Sequence, residues 1–223
     1  MKYSKTQLNA IAEIHDFLEG DQKVFILKGY AGTGKTTLIK YIYDELKNRK
    51  QQSNVMAPTG RAAKVISDKI DDEAYTIHKS IYCLNNLIEY NSSKENSNSF
   101  KYFFGIKHND DPSNCIYIID ESSMISNNFS ESLFFRFGSG YLLNDLINYS
   151  ELKNKNLNRK IIFIGDTAQL PPIGMEYSPA LDSKYIRNLY SVKVSECELK
   201  EVMRQKKKSG ILTNATNLRK KLK

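Results

Sequence analysis

Short runs of consecutive apolar residues alternate along this chain with stretches whose apolar positions recur every three to four residues. Residues 24–27, 54–57, 116–120, 161–165 and 190–194 read as strands. Two of them, 116–119 (IYII) and 161–164 (IIFI), are apolar throughout, as central strands covered on both faces require. Residues 6–18 place Leu8, Ile11, Ile14, Phe17 and Leu18 on one helical side. Further helices are predicted at 36–48, 60–69, 127–149 (interrupted near Gly138 and Gly140) and 209–221. This alternation predicts an α/β fold, a parallel β-sheet with helices on both faces. Residues 85–114 break the rhythm. They are rich in Asn, Ser, Lys and Asp, hold an aromatic run at 100–104, and read as an irregular insertion or hairpin. Residues 154–160 form a polar connector, and no internal repeat or second domain-sized core is visible.

Composition narrows the classes. A chain of 223 residues suits one substantial core. No apolar run reaches the roughly eighteen residues a membrane span needs, and the N-terminus leads into a polar helix. Cys83, Cys115 and Cys197 lie far apart and make neither a metal pair nor a disulfide framework. A reducing, cytoplasmic setting is expected. The net charge is +8. From Arg204 onward stand eight basic residues and no acidic one, whereas the remaining 203 residues carry 25 basic and 25 acidic. The expected layout is therefore a charge-balanced body at 1–203 and a basic segment at 204–223. That segment is either a nucleic-acid contact or a solvated end.

The chemistry is carried first by Gly29-Tyr30-Ala31-Gly32-Thr33-Gly34-Lys35-Thr36, which fits G-x-x-x-x-G-K-[ST]. A strand precedes it and a helix follows, the context in which this loop holds a triphosphate. Glycines let successive N–H groups turn inward toward phosphate oxygens, and the helix start adds a positive dipole end. Contacts are expected from Gly29, Ala31, Gly32, Thr33, Gly34, Lys35, Thr36 and Thr37. Lys35 reaches the β- and γ-phosphates and the Thr36 hydroxyl ligates Mg²⁺. The apolar strand 116–119 ends in Asp120-Glu121. Asp120 is placed to hold the ion, and Glu121 to orient and deprotonate the attacking water. Residues 161–164 run into Gly165-Asp166-Thr167-Ala168-Gln169-Leu170-Pro171-Pro172. Gln169 is placed either to sense the γ-phosphate or to serve as a turn residue. Arg204 is either a transition-state cation or a surface charge. Thr59 suits a helix cap whose N-terminus can take a phosphate, and Thr76-Ile77-His78 is a second polar cluster. His78 alone is weak evidence of chemistry, since no acid–His–nucleophile set accompanies it.

Taken in order, seven segments resemble the first motor domain of superfamily 1 DNA helicases, the RecD-like 5′-to-3′ (1B) group. They are Lys5-Thr6-Gln7-Leu8-Asn9-Ala10, the glycine loop through Thr37, Ala57-Pro58-Thr59-Gly60-Arg61-Ala62-Ala63, Thr76-Ile77-His78, Ile118-Ile119-Asp120-Glu121-Ser122-Ser123-Met124, residues 165–172, and Met203-Arg204-Gln205. The resemblance implies a RecA-like P-loop NTPase sheet, in which the strand carrying Gln169 lies between the loop strand and the acidic strand. It implies ATP and Mg²⁺ as cofactors and single-stranded DNA as partner. Gln7 would recognise adenine, Gln169 would couple the γ-phosphate to DNA, and Arg204 would contact that phosphate. Pro58, Thr59, Arg61, Thr76 and His78 would lie along the DNA. The family has a second RecA-like domain, which this chain does not reach, so a monomeric fragment with weak or no helicase activity of its own is expected. Two other P-loop classes fit less well. An AAA+ loader or remodeller needs a C-terminal helical lid, for which few residues remain, and a GTPase needs an Asn-Lys-x-Asp sequence, which is absent. A nucleotide-gated binding module stays open for the isolated chain.

Overall fold

The computed structural model describes residues 3–91 and 100–201. In chain order its elements are α1 (Lys5–Glu19), β1 (Val24–Gly29), α2 (Lys35–Asn48), β2 (Ser53–Ala57), α3 (Gly60–Ile70), β3 (Tyr75–Thr76), α4 (Ile77–Ile81), β4 (Tyr82–Asn91), β5 (Phe100–Ile106), β6 (Ile116–Ile119), β7 (Phe135–Phe137), α5 (Leu142–Tyr149), β8 (Lys160–Gly165), α6 (Ser183–Tyr190) and β9 (Val194–Leu199). Six strands form one sheet in the order β3-β2-β6-β8-β1-β9, and every pairing in it is parallel. The expected α/β architecture is therefore present.

Strand alternation explains why both faces are covered. Successive side chains of a strand point to opposite faces. Phe25, Leu27, Ile116, Ile118, Ile162 and Ile164 enter one core, with Ile14 and Phe17 of α1, Leu38 and Ile42 of α2 and Ile66 of α3. Val24, Ile26, Tyr117, Ile119, Ile161 and Phe163 enter the other, with Ile77 and Ile81 of α4, Leu146 of α5 and Ile186 of α6. Each fully buried side chain of this size contributes about 1.5–3 kcal/mol.

Local chemistry sets the helix starts. Ser4 Oγ accepts from Gln7 N at 3.2 Å, while Gln7 Oε1 accepts from Ser4 N at 2.9 Å, a reciprocal capping box. The other end of α1 is held by Lys160, whose buried amine donates to the carbonyls of Phe17, Leu18 and Gly20. Burial pulls the Lys160 amine down to about 8. Thr59, Thr76 and Asp182 cap α3, α4 and α6.

Two sequence expectations are corrected. Only Leu142–Tyr149 of the stretch 127–149 is helical. Gly138 and Gly140 sit at φ 46 and 87, which ends any continuous helix, and Phe135–Phe137 forms a strand instead. The predicted strand at 190–194 begins later, at Val194. Ile186 and Tyr190, four residues apart, share a buried helical face, and Ser191 turns the chain at φ 54. The helix predicted at 209–221 lies outside the described residues.

Strands β4 and β5 pair antiparallel, and β7 joins β5 in parallel to make a three-stranded sheet. This sheet is tied to the body at Tyr82, whose hydroxyl donates to the buried Asp145 Oδ2 at 2.8 Å. Ser139 N and Oγ also donate to that carboxylate.

Candidate nucleotide site

Strands β1, β8 and β6 are neighbours in parallel register, so their C-terminal ends open on one edge of the sheet. Each runs directly into a polar loop. After β1, Gly32 and Gly34 take φ 83 and 87, conformations that L side chains rarely adopt. Thr33 closes the turn, donating from N and from Oγ1 to Tyr30 O at 3.2 and 2.8 Å. Helix α2 starts without a side-chain cap, which leaves its first amides available to an anion. Lys35 folds back over the loop and donates to Gly29 O at 2.7 Å and Tyr30 O at 3.2 Å.

After β6, Asp120 is almost fully buried and Glu121 takes a left-handed conformation with φ 49. Such a backbone is costly for a residue with a Cβ, and strain of this kind collects at functional sites. Asp120 Oδ1 and Glu121 Oε2 are both buried without a hydrogen-bond partner. A buried carboxylate oxygen left unpaired is expensive unless something binds there. After β8, Asp166 accepts from Ala168 N at 2.9 Å with Oδ1 and from Ala31 N at 3.2 Å with Oδ2. It thereby fastens the glycine loop to the loop bearing Gln169. Gln169 Oε1 accepts from Ser123 Oγ at 3.3 Å.

These loops converge on a cavity of about 840 Å³. Its wall includes Ala31, Gly32, Gly34, Lys35, Thr36, Thr37, Asp120, Glu121 and Gln169, together with Gln7, Thr59 and Arg61. Gly29 and Thr33 stand behind this wall and shape the loop. The structure thus brings Thr59 and Arg61 to the triphosphate loop, because β2 neighbours β6. Pro58, Thr76 and His78 do not line the cavity, although Ala57 pairs with Thr76, so Pro58 and His78 flank adjacent strand ends. Thr59 Oγ1 and Thr76 Oγ1 accept from Ala62 N and Lys79 N, at 3.2 and 3.1 Å. The His78 ring packs edge-on against Phe137 at 4.8 Å and beside Tyr82, and burial lowers its pKa. Arg204 lies outside the described residues. Sequence reasoning left Tyr3, Val65, Lys69 and Met124 unassigned, yet all four line the cavity. It also passed over Asp166, which follows β8 as Asp120 follows β6, a positional signal that was available.

The donor set fits a hard cation. Asp120 Oδ1 is an orphaned oxygen, and the Thr36 side chain lines the same cavity. Among the described residues no group of three or more His, Cys, Asp or Glu could form a denser metal site. A hard ion held by one carboxylate and one hydroxyl keeps water and phosphate oxygens as its other ligands. Among the same residues no helix is long and apolar enough to cross a membrane.

Burial pushes the Asp120 carboxyl up to about 6, with the nearby Glu121 charge adding to the rise and the Glu121 N–H and Lys35 opposing it. The folded group binds its proton more tightly than the unfolded one. Stability of the ion-free protein is therefore fullest at low pH and falls as pH rises from about 4 to about 6. Above that range the cost is of the order of 3 kcal/mol. Asp120→Asn is expected to recover part of it, raising the ion-free midpoint at pH 7.5 by a few °C. The variant is also expected to lose Mg²⁺-dependent stabilisation by nucleotide. Thermal denaturation with and without Mg·ATP checks both; an unchanged Mg²⁺ response would remove Asp120 from the ion site.

Residues 13–175 match the AAA domain family (AAA_19). An uncharacterized protein of Methanocaldococcus jannaschii is 36% identical over 68% of this chain and 12% of its own length. An uncharacterized protein of Acanthamoeba polyphaga mimivirus is 29% identical over 77% of this chain and 33% of its own. The ATP-dependent DNA helicase dda of Enterobacteria phage T4 is 30% identical over 96% of this chain and 42% of its own. The chain thus spans less than half the length of these relatives. Among solved structures, the Pif1 helicase from Candida albicans superposes with a TM-score of 0.59 at 20% identity, over 98% of this chain and 44% of that one.

Proposed function

Because the chain belongs to the AAA_19 family and is a helicase-like P-loop domain, we propose that it is the first motor domain of a RecD-like superfamily 1 DNA helicase. It couples ATP hydrolysis to 5′-to-3′ movement along single-stranded DNA and to duplex unwinding, and a second motor domain completes the machine. The observation that carries this reading is the meeting of Lys35, the orphaned oxygens of Asp120 and Glu121, and Gln169 in one cavity.

The residues divide the work as follows. The amides of the glycine loop and of the α2 start face the triphosphate. Lys35 exchanges the carbonyls of Gly29 and Tyr30 for phosphate oxygens, moving its charge onto the leaving and transferring groups. Thr36 and Asp120 would hold Mg²⁺, which would supply positive charge against the charge of the triphosphate. Glu121 Oε2 accepts a hydrogen bond from water and then its proton, as the water oxygen bonds to the γ-phosphorus and the bond to the β-bridging oxygen breaks. The products are ADP and inorganic phosphate. Gln169, held by Ser123 and carried on the loop anchored by Asp166, donates its amide toward the γ-phosphate. Arg204 supplies a further cation. Pro58, Thr59, Arg61, Thr76 and His78 stand beside the DNA track.

Phosphate release from Mg·ATP, with and without a single-stranded oligonucleotide, tests the enzymatic reading in the protein that carries both motor domains. No release above the Lys35→Ala background would overturn it. For the chain itself, weak binding of a labelled oligonucleotide is expected. Affinity should fall roughly tenfold or more between 50 and 200 mM salt, as backbone contacts release counterions. Salt-independent or strongly base-specific binding, read by anisotropy, would overturn the proposed track.

A further inference from the structure

Gln7 does a second job in this fold, one that does not involve a nucleotide base. Its carboxamide is almost fully buried. Oε1 accepts from Ser4 N at 2.9 Å, completing the cap of α1. Nε2 reaches 26 residues along the chain and donates to Thr33 O at 3.2 Å, inside the glycine loop. The next residue, Gly34, leaves room for this contact. A Cβ on Gly34 would stand 2.3 Å from Gln7 Nε2, and Gly34 also has φ +87. The loop turn and the Gln7 amide therefore occupy each other's space by design of sequence. Helix α1 is itself fixed at its far end by Lys160, so the strut stands on a rigid base.

Thr33 O belongs to the peptide that carries the Gly34 N–H. Holding that carbonyl on the α1 side fixes the plane of the peptide, and with it the direction in which the N–H points. Preorganised loop amides bind an anion without a reorganisation cost. From this geometry we infer that Gln7 is a positioning residue for the phosphate loop, acting on the triphosphate through Thr33 and Gly34 whatever base is attached. The inference rests on the reading of this loop as a triphosphate site and deepens it.

Affinities of Mg·ATP and of Mg·tripolyphosphate, which has no base, separate the possibilities in calorimetry. Gln7→Met keeps the side-chain volume and removes the strut, and it is expected to weaken Mg·tripolyphosphate by about threefold to tenfold and Mg·ATP by at least as much. Ser4→Ala removes the hydroxyl from the same helix cap and leaves the strut in place. It is expected to lower the thermal midpoint while leaving both affinities unchanged. Loss of ATP affinity alone in Gln7→Met would make Gln7 a reader of the base and overturn the inference. Unchanged affinities in that variant, or equal losses in Ser4→Ala, would overturn it too. Failure of the unsubstituted protein to bind either ligand would instead bring down the triphosphate site on which the inference stands.

Discussion

Replacing Lys35 with alanine is expected to lower the affinity for Mg·ATP by about a hundredfold or more. The amine is the charged group that the glycine loop carries into the cavity, and in the resting loop it is held by the Gly29 and Tyr30 carbonyls. Those neutral acceptors are weaker partners than a phosphate oxygen, so the side chain moves to the ligand when one arrives. Truncating one member of a desolvated charge pair costs about 2–5 kcal/mol. The fold should survive, because the side chain lies over the loop surface and contributes little to either core. Calorimetric titration with Mg·ATP decides the matter, and an affinity equal to that of the unsubstituted protein would overturn the loop assignment.

Glu121→Gln is expected to separate binding from chemistry. The amide has nearly the shape of the carboxylate and can still contact a water, but it does not take the water's proton. Nucleotide affinity should change little, while turnover in the two-domain protein should fall by about 10²–10⁴, the usual worth of a positioned general base. The strained backbone at φ 49 and the unpartnered Oε2 both favour this role over that of a solvated strand end. Equal turnover in the two proteins, measured by phosphate release at saturating Mg·ATP, would dismiss Glu121 as the base.

Much of this architecture is legible in the sequence, and the reason differs by element. Ile116–Ile119 and Lys160–Gly165 announce central strands because a strand buried on both faces needs side chains that are apolar on both. The glycine loop is legible because its chemistry is local, residues 29–36 folding around their own amides. Other features depend on what the sheet brings together. Arg61 reaches the phosphate cavity only because β2 pairs with β6. Asp166 meets Ala31 across 135 positions of sequence. His78, a polar residue in a polar cluster, serves as an aromatic packing surface because β7 delivers Phe137 to it. The aromatic residues around 133–137 gave an ambiguous period, and the helix expected there gave way to a strand once Phe135 found Tyr102 as its partner.

The Asp166 carboxylate joins two loops through opposite oxygens. One is the glycine loop, and the other ends in Leu170 and Ile173, which are 87% and 100% exposed. Pro171 and Pro172 lie between them and stiffen that arm. One carboxylate at the sheet edge is thus the shared anchor of the glycine loop and of an arm with an exposed apolar tip.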